Sequence, residues 1–158
     1  MNKPYVEYKG KKYEFEADFP LKRQFDRERQ SEIRKSLLKS GVTEKAYNEF
    51  NEIKTFIEQN QEKGYDALSE KQKETLAKMF DLTDKVSLVS LYDEYCFKML
   101  NKKYGMNRDE FNSLLEGLAN KYGISFVDTF VEKVCEKVFT QVVESEKAET
   151  LPNWDWMN

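Results

Sequence analysis

The sequence predicts an all-α fold of about five to six helices, packed around a central helix at residues 86–100 and preceded by an N-terminal β-hairpin. Two patterns carry this prediction. Apolar residues recur at helical spacing through most of the chain, whereas residues 5–16 alternate between apolar and polar. Ten of the fifteen residues at 86–100 are apolar although the mean hydropathy of the chain is -0.82, so this helix needs neighbours on several sides.

The chain of 158 residues suits a single helical domain at residues 1–143, followed by a flexible acidic tail at residues 144–158. No apolar run approaches the roughly 18 residues of a membrane span, and the N-terminus lacks the apolar core of a signal peptide. A net charge of -3 gives no overall attraction to nucleic acid or to an acidic membrane. We expect a cytoplasmic protein that binds no membrane.

The residue types argue against an enzyme. The chain has no histidine, which excludes Ser-His-Asp and Cys-His nucleophile systems and histidine-based metal sites within it. It also has no glycine-rich phosphate loop and no calcium-loop motif. Cys96 and Cys135 both fall in apolar helical stripes, which favours two buried free thiols over a disulfide. No catalytic residue, cofactor or metal is therefore predicted.

The hairpin is predicted from the sequence YVEYKGKKYEFE, in which Lys9 and Gly10 form a two-residue turn. That turn sets three cross-strand pairs: Val6 with Tyr13, Glu7 with Lys12, and Tyr8 with Lys11. One face is apolar and needs a surface to pack on, because a lone hairpin is marginally stable. The hairpin is either a lid on the helical core or a free edge for pairing with another chain. We name Tyr8 and Tyr13 as candidate partner-binding residues.

The helices are delimited by stop and capping residues. The predicted signals are, in chain order, Gly41, Thr43, Ser69 with Gln72, Thr83 or Asp84, Asn107 with Glu110, and Gly123. The first helix begins at Leu21 and ends at Lys39, and the last spans residues 126–143.

The first helix is basic, with seven basic side chains against three acidic ones over residues 21–40, a net charge of +4. Because the acidic residues are interleaved and no nucleic-acid-binding motif accompanies them, a solvated helix face is the preferred interpretation. Asp93 interrupts the apolar part of the central helix. It is either a functional carboxylate with a raised pKa or, as we prefer, a rim residue or the partner of an arginine on another helix.

The C-terminal stretch ESEKAETLPNWDWMN has no helical stripe, and its net charge is -3. Both tryptophans of the chain, Trp154 and Trp156, lie in it. Tryptophan is enriched at binding hot spots, so the stretch either binds a partner or a neighbouring copy, or packs in a groove of its own domain. We name Leu151, Trp154 and Trp156 as candidate partner-binding residues.

The N-terminal sequence VEYKGKKYEFEADFPLKRQF resembles the start of the tail assembly chaperones of long-tailed phages (siphophages) of Gram-positive bacteria. Over roughly the first 25 residues, the resemblance is carried by Val6, Gly10, Lys12, Tyr13 and Phe15, followed by Phe19, Leu21 and Phe25. It implies a non-enzymatic protein of the host cytoplasm. Such a protein binds the tape-measure protein, a very long apolar helical chain, and keeps it soluble until the tail tube assembles around it.

A chaperone of this kind needs an exposed apolar groove or multivalent self-association. Two other functions stay open. One is a small inhibitor or adaptor of phage or mobile-element origin that binds a host protein. The other, less favoured, is a nucleic-acid-binding regulator that uses the basic helix at residues 21–39.

Overall fold

Two strands and six helices make up the part of the chain that the computed structural model describes, residues 2–60 and 63–147. The elements are β1 (Tyr5–Tyr8), β2 (Lys11–Glu14), α1 (Phe19–Lys39), α2 (Glu44–Asn60), α3 (Glu70–Asp84), α4 (Val89–Tyr104), α5 (Arg108–Tyr122) and α6 (Ile124–Lys147). This architecture confirms the predicted helical fold with an N-terminal hairpin. The candidate residues Leu151, Trp154 and Trp156 lie outside the described residues.

The described chain divides into two compact units. The first unit comprises the residues up to Asp26 and those from Val89 onward, and the second comprises Arg27–Leu88. The division falls inside α1, at the start of a polar stretch that separates its two apolar parts. The single domain at residues 1–143 stays a prediction, because each unit is compact by itself.

The hairpin has the predicted register. Its three expected pairs are present, and a fourth joins Tyr5 to Glu14. Lys9 and Gly10 have φ values of 50° and 75°, as a type I′ turn requires. Glycine adopts such a positive φ without steric cost, which explains why a two-residue turn forms at this sequence.

The apolar face of the hairpin packs on helices of the first unit. Phe15 has no exposed surface, and its ring meets Phe130 of α6 edge-on at 5.8 Å between centroids. Tyr13 meets Tyr104 of α4 in the same way at 5.0 Å. The hairpin is therefore part of the core of its unit, which agrees with the interpretation as a lid.

Within the first unit, α6 packs on both α5 and α4, and α4 has further neighbours. Helix α4 packs closely on α6, where the sulfur atoms of Cys96 and Cys135 lie 3.8 Å apart. On the α1 side, the ring of Phe25 contacts Tyr95 of α4 at 5.1 Å and stacks on Phe139 of α6 at 4.4 Å. Helix α4 is thus covered on several sides, as its apolar circumference requires.

Three helices differ from the prediction in their boundaries. Helix α1 begins at Phe19, two residues before the predicted Leu21. Helix α4 begins at Val89 and ends at Tyr104, later than the predicted residues 86 and 100. Thr83 does not cap it, because Thr83 belongs to the last turn of α3 and its hydroxyl donates to the Met79 carbonyl at 2.9 Å. Helix α6 begins at Ile124, directly after Gly123, and continues to Lys147, beyond the predicted end at residue 143.

The second unit has a hydrophobic core of its own. Its fully or nearly buried members are Leu37, Phe50, Ile53, Leu68, Leu76 and Met79. The predicted capping box at Ser69 and Gln72 begins α3 with both reciprocal hydrogen bonds, at 3.1 and 2.9 Å. The C-terminal part of α1, α2 and α3 thus form a three-helix arrangement around Phe50 and Leu37.

Both cysteines are buried free thiols, as predicted. Burial raises the pKa of the Cys96 thiol, which disfavours the reactive thiolate. Each sulfur also donates to a backbone carbonyl at 3.6 Å, Cys96 to Val131 and Cys135 to Tyr92. The sulfur atoms therefore lie in the core with weak hydrogen bonds and without access to solvent.

We expect neither thiol to react with Ellman's reagent in the native protein, and both to react in concentrated urea. The physical reason is that neither Cys96 nor Cys135 exposes any surface. The measurement is the absorbance of released thionitrobenzoate with and without urea. Stoichiometric reaction of either thiol without denaturant, within minutes, contradicts the packing of α4 against α6.

We expect Phe15→Ala to lower the free energy of unfolding by about 3 kcal/mol or more, because it removes a fully buried ring from the core of the first unit. Urea denaturation followed by circular dichroism measures the change. Phe19→Ala is the matched control, since Phe19 is 53% exposed and its loss should cost less than about 0.5 kcal/mol. Equal effects of the two substitutions contradict the placement of the hairpin.

Candidate protein-binding groove

A groove in the first unit lies between β1, α5 and the start of α6, with a volume of about 550 Å³. Its aromatic side chains are Tyr5 and Tyr8 of β1, Tyr122 of α5, and Phe126 and Phe130 of α6. We call this surface the aromatic groove. It is the place where the first unit leaves several large rings accessible beside one another.

Gly123 brings the rings of α5 and α6 together. Its φ of 99° belongs to the left-handed half of backbone space, which favours glycine, and its N–H donates to the Ala119 carbonyl at 2.8 Å. Helix α6 begins at the next residue, so Tyr122 and Phe126 lie side by side at 4.7 Å between centroids. They expose 53% and 40% of their surface, which is high for aromatic residues in contact.

The outer edge of β1 borders the aromatic groove and is open. In the described part of the chain the sheet has two strands, so each strand has one edge without a strand partner. The edge of β2 is partly covered, because the Glu14 N–H donates to the Tyr104 hydroxyl at 2.8 Å. The Pro4 carbonyl accepts a hydrogen bond from the Phe15 N–H, so the backbone groups of Pro4 face β2. Because backbone groups point to alternate sides along a strand, those of Tyr5 and Glu7 point away from β2.

Lysines surround the aromatic groove. The ammonium of Lys12 lies 4.4 Å from the centroid of the Tyr5 ring, and that of Lys121 lies 5.2 Å from the Tyr122 ring. Lys9 lies 5.3 Å from the ring of Tyr8, and Glu7 is the acidic side chain among the residues that line the groove. The rim is therefore net positive, although the chain as a whole is acidic.

The two candidate partner-binding residues of the hairpin lie in different environments. Tyr8 lines the aromatic groove, whereas Tyr13 is half-buried on β2 against Tyr104 and has a structural role in the core. Sequence reasoning did not name Tyr122 or Phe126 as candidate binding residues. Their spacing of four residues across Gly123 was a usable signal, because an aromatic pair that spans a helix break cannot belong to one continuous buried stripe.

A second cleft, near the C-terminal end of α6, is larger at about 740 Å³ but is bordered by paired charges. Lys3 and Lys103 both form ion pairs with Glu16, and Lys102 pairs with Asp18. The hydrogen bond from Lys3 lowers the pKa of Glu16, and the one from Lys102 lowers the pKa of Asp18. Because these charges already neutralise one another, the aromatic groove is the stronger candidate for protein binding.

The basic side chains of α1 are partly engaged with acids. Within the first unit, Lys22 pairs with Asp26 at 2.7 Å. Within the second unit, Arg34 pairs with Glu44 at 3.1 Å and lies over the ring of Tyr47. This pattern agrees with the preferred interpretation of α1 as a solvated helix face.

Asp93 is half-buried, and burial together with the nearby Asp128 raises the pKa of its carboxyl. Arg108 of α5 opposes that shift, but its guanidinium hydrogen-bonds Glu94 instead. The Oδ1 atom of Asp93 has no hydrogen-bond partner among the described residues. Asp93 therefore forms no ion pair with Arg108, so the arginine alternative is wrong, whereas its partial burial agrees with a rim residue.

We expect Asp93→Asn to raise the free energy of unfolding at neutral pH by less than about 1 kcal/mol, since solvent screens a half-exposed carboxylate. An acid with a raised native pKa destabilises the fold when ionised, so the gain should disappear below pH about 4, where the unfolded carboxyl is also protonated. Urea titrations at neutral pH and below pH about 4 measure the difference in free energy of unfolding between this variant and the parent chain. Glu94→Gln is the control and should bring no gain, because Glu94 is paired with Arg108. Equal stability of Asp93→Asn and the parent chain at pH 7 contradicts the expectation.

Among residues 2–60 and 63–147, no cluster of three or more cysteine, aspartate or glutamate side chains could hold a metal ion. None of the helices in those ranges is both long enough and apolar enough to cross a membrane. Neither a family model, nor a curated protein, nor a solved structure matches this chain. The functional argument therefore depends on the groove and on the sequence of the hairpin.

Proposed function

We propose that this protein is a non-enzymatic phage tail assembly chaperone, which binds the tape-measure protein in the host cytoplasm and keeps it soluble during tail assembly. The observation that carries the proposal is the aromatic groove. One of its walls is β1, and β1 belongs to the hairpin whose sequence resembles these chaperones. The segment that carries the resemblance thus also forms part of the candidate binding surface.

The chemistry of the groove suits an apolar client. Each accessible ring of Tyr122 and Phe126 offers a large apolar surface that a client side chain can cover. The lysines on the rim keep the groove in contact with water and disfavour binding of basic segments. A client with exposed apolar helices can therefore bury apolar residues in this groove, and no catalytic step is needed.

We expect Phe126→Asp to weaken binding of the tape-measure protein by about tenfold, because it places a charge among the rings that the client covers. The measurement is the soluble fraction of the tape-measure protein from the same genome when the two proteins are co-expressed. Phe19→Ala is the matched control, since Phe19 is similarly exposed but lies outside the aromatic groove.

Three outcomes contradict the proposal. The first is a tape-measure protein that is equally insoluble with and without this chain. The second is the absence of a long helical tape-measure reading frame in the neighbourhood of the gene. The third is capture of one stoichiometric host protein from a lysate, together with no effect on the tape-measure protein, which favours the host-binding inhibitor or adaptor instead.

A further inference from the structure

We propose that the cleft near the C-terminal end of α6 binds the C-terminal segment of the same chain, residues 148–158. We call this surface the charged cleft. Its apolar lining then packs against the two tryptophans of the segment, and its lysines lie beside the acids of the segment. The proposed contact involves neither the aromatic groove nor the tape-measure protein.

The lining of the charged cleft is partly apolar, and its volume of about 740 Å³ suits bulky side chains. Val138 and Val142 lie one turn apart on the same face of α6, and Val142 keeps part of its surface accessible. The other apolar residues of the lining are Ala17, Phe19 and Met99. An indole placed on this surface removes apolar area of both partners from water.

The segment begins close to the charged cleft. Val142 precedes Lys147, the last residue of α6, by five residues, or about 7.5 Å along the helix axis. Trp154 follows Lys147 by seven residues, which span about 24 Å at full extension. The segment is therefore long enough to turn back to Val142 with slack to spare. The N-terminal residues border the same turns of α6, because the Gln141 side chain donates to the Asn2 carbonyl at 3.1 Å.

The order of residues in the segment favours such a reversal. Pro152 disfavours a helical conformation of Leu151, so helical structure is not expected to continue from α6 to Trp154. Pro152 and Asn153 are both common in turns, and the first tryptophan follows them directly. The reversal is thus expected just before the residues that we place in the cleft.

The charges of the cleft and of the segment are complementary. Three lysines and two acids line the cleft, which gives it a net charge of +1: Lys3, Lys102, Lys103, Glu16 and Asp18. An ammonium has three N–H donors, so a lysine that is paired with one carboxylate can still donate to another. The segment contributes two carboxylates, Glu149 and Asp155, and no basic side chain. Its net charge of -2 therefore meets a surface of opposite sign.

The aromatic groove is the alternative site within one chain, and distance disfavours it. Along α6, Phe126 lies 21 residues before Lys147, or about 31 Å, whereas Val138 lies nine residues before it, or about 13.5 Å. The accessible rings of the groove are therefore further from the start of the segment than the lining of the charged cleft is.

Fluorescence of the full chain tests the proposal, because Trp154 and Trp156 are the only tryptophans. In dilute native protein their emission should lie at shorter wavelength than that of a synthetic peptide of residues 148–158, and acrylamide should quench it more weakly. Val142→Asp should weaken docking by about tenfold or more, because it places a charge in the apolar lining, and should move the emission to that of the peptide. Phe126→Asp makes a comparable change in the aromatic groove and should leave the emission unchanged.

A second pair of variants guards against a Val142→Asp chain that fails to fold. Lys102→Glu replaces a side chain that is 64% exposed, so it should keep the helical circular dichroism of the parent chain. It should weaken docking by about threefold, the size expected when one exposed ion pair is lost. Lys121→Glu is the matched control, since Lys121 is also exposed but lines the aromatic groove.

Four results overturn the proposal. The first is native emission that equals that of the peptide. The second is emission that responds to Phe126→Asp and not to Val142→Asp, which places the segment in the aromatic groove. The third is emission that moves to longer wavelength on dilution, which assigns the segment to a second copy. The fourth is a folded Lys102→Glu chain with the emission of the parent. Every readout uses this chain alone, so failure of the proposed function is seen separately.

Discussion

The close packing of α4 on α6 is the contact on which the first unit depends. Cys96 and Cys135 place small side chains where the helices meet, so the sulfur atoms come within 3.8 Å, and the stacked rings of Phe25 and Phe139 fill the space beside them. This contact fixes the position of α6, and Phe15 then packs on Phe130. The hairpin and the start of α6 are thereby held together, and the aromatic groove forms between them.

The parts of this fold that depend on short-range chemistry could be predicted from the sequence. The turn at Lys9 and Gly10 determines the hairpin register, and the capping box at Ser69 determines where α3 begins. The start of α4 could not be predicted in this way. Thr83 is a residue type that often caps helices, but here its hydroxyl donates to the Met79 carbonyl inside α3. The division into two units also depends on which apolar stripes meet, which periodicity along one helix does not specify.

The candidate site could be predicted only in part, because local sequence patterns do not specify which surfaces the tertiary fold covers. Tyr8 could be named because the apolar face of a hairpin is known once its register is known. Tyr122 and Phe126 occupy regular stripe positions of α5 and α6, and a stripe position is buried only if another element covers it. At this end of the unit nothing in the described chain covers them fully, and that is a property of the tertiary arrangement.

The first turns of α6 connect the aromatic groove to the core of the first unit. Phe130 packs edge-on against the buried ring of Phe15, whereas Phe126, one turn earlier on the same helix, leaves 40% of its surface accessible. Because the ring of Phe126 stacks on that of Phe130 at 6.2 Å between centroids, the accessible ring has a neighbour that the core holds in place. Side chains held in this way lose little freedom when a partner covers them, so an apolar client can bind without rearrangement of the fold.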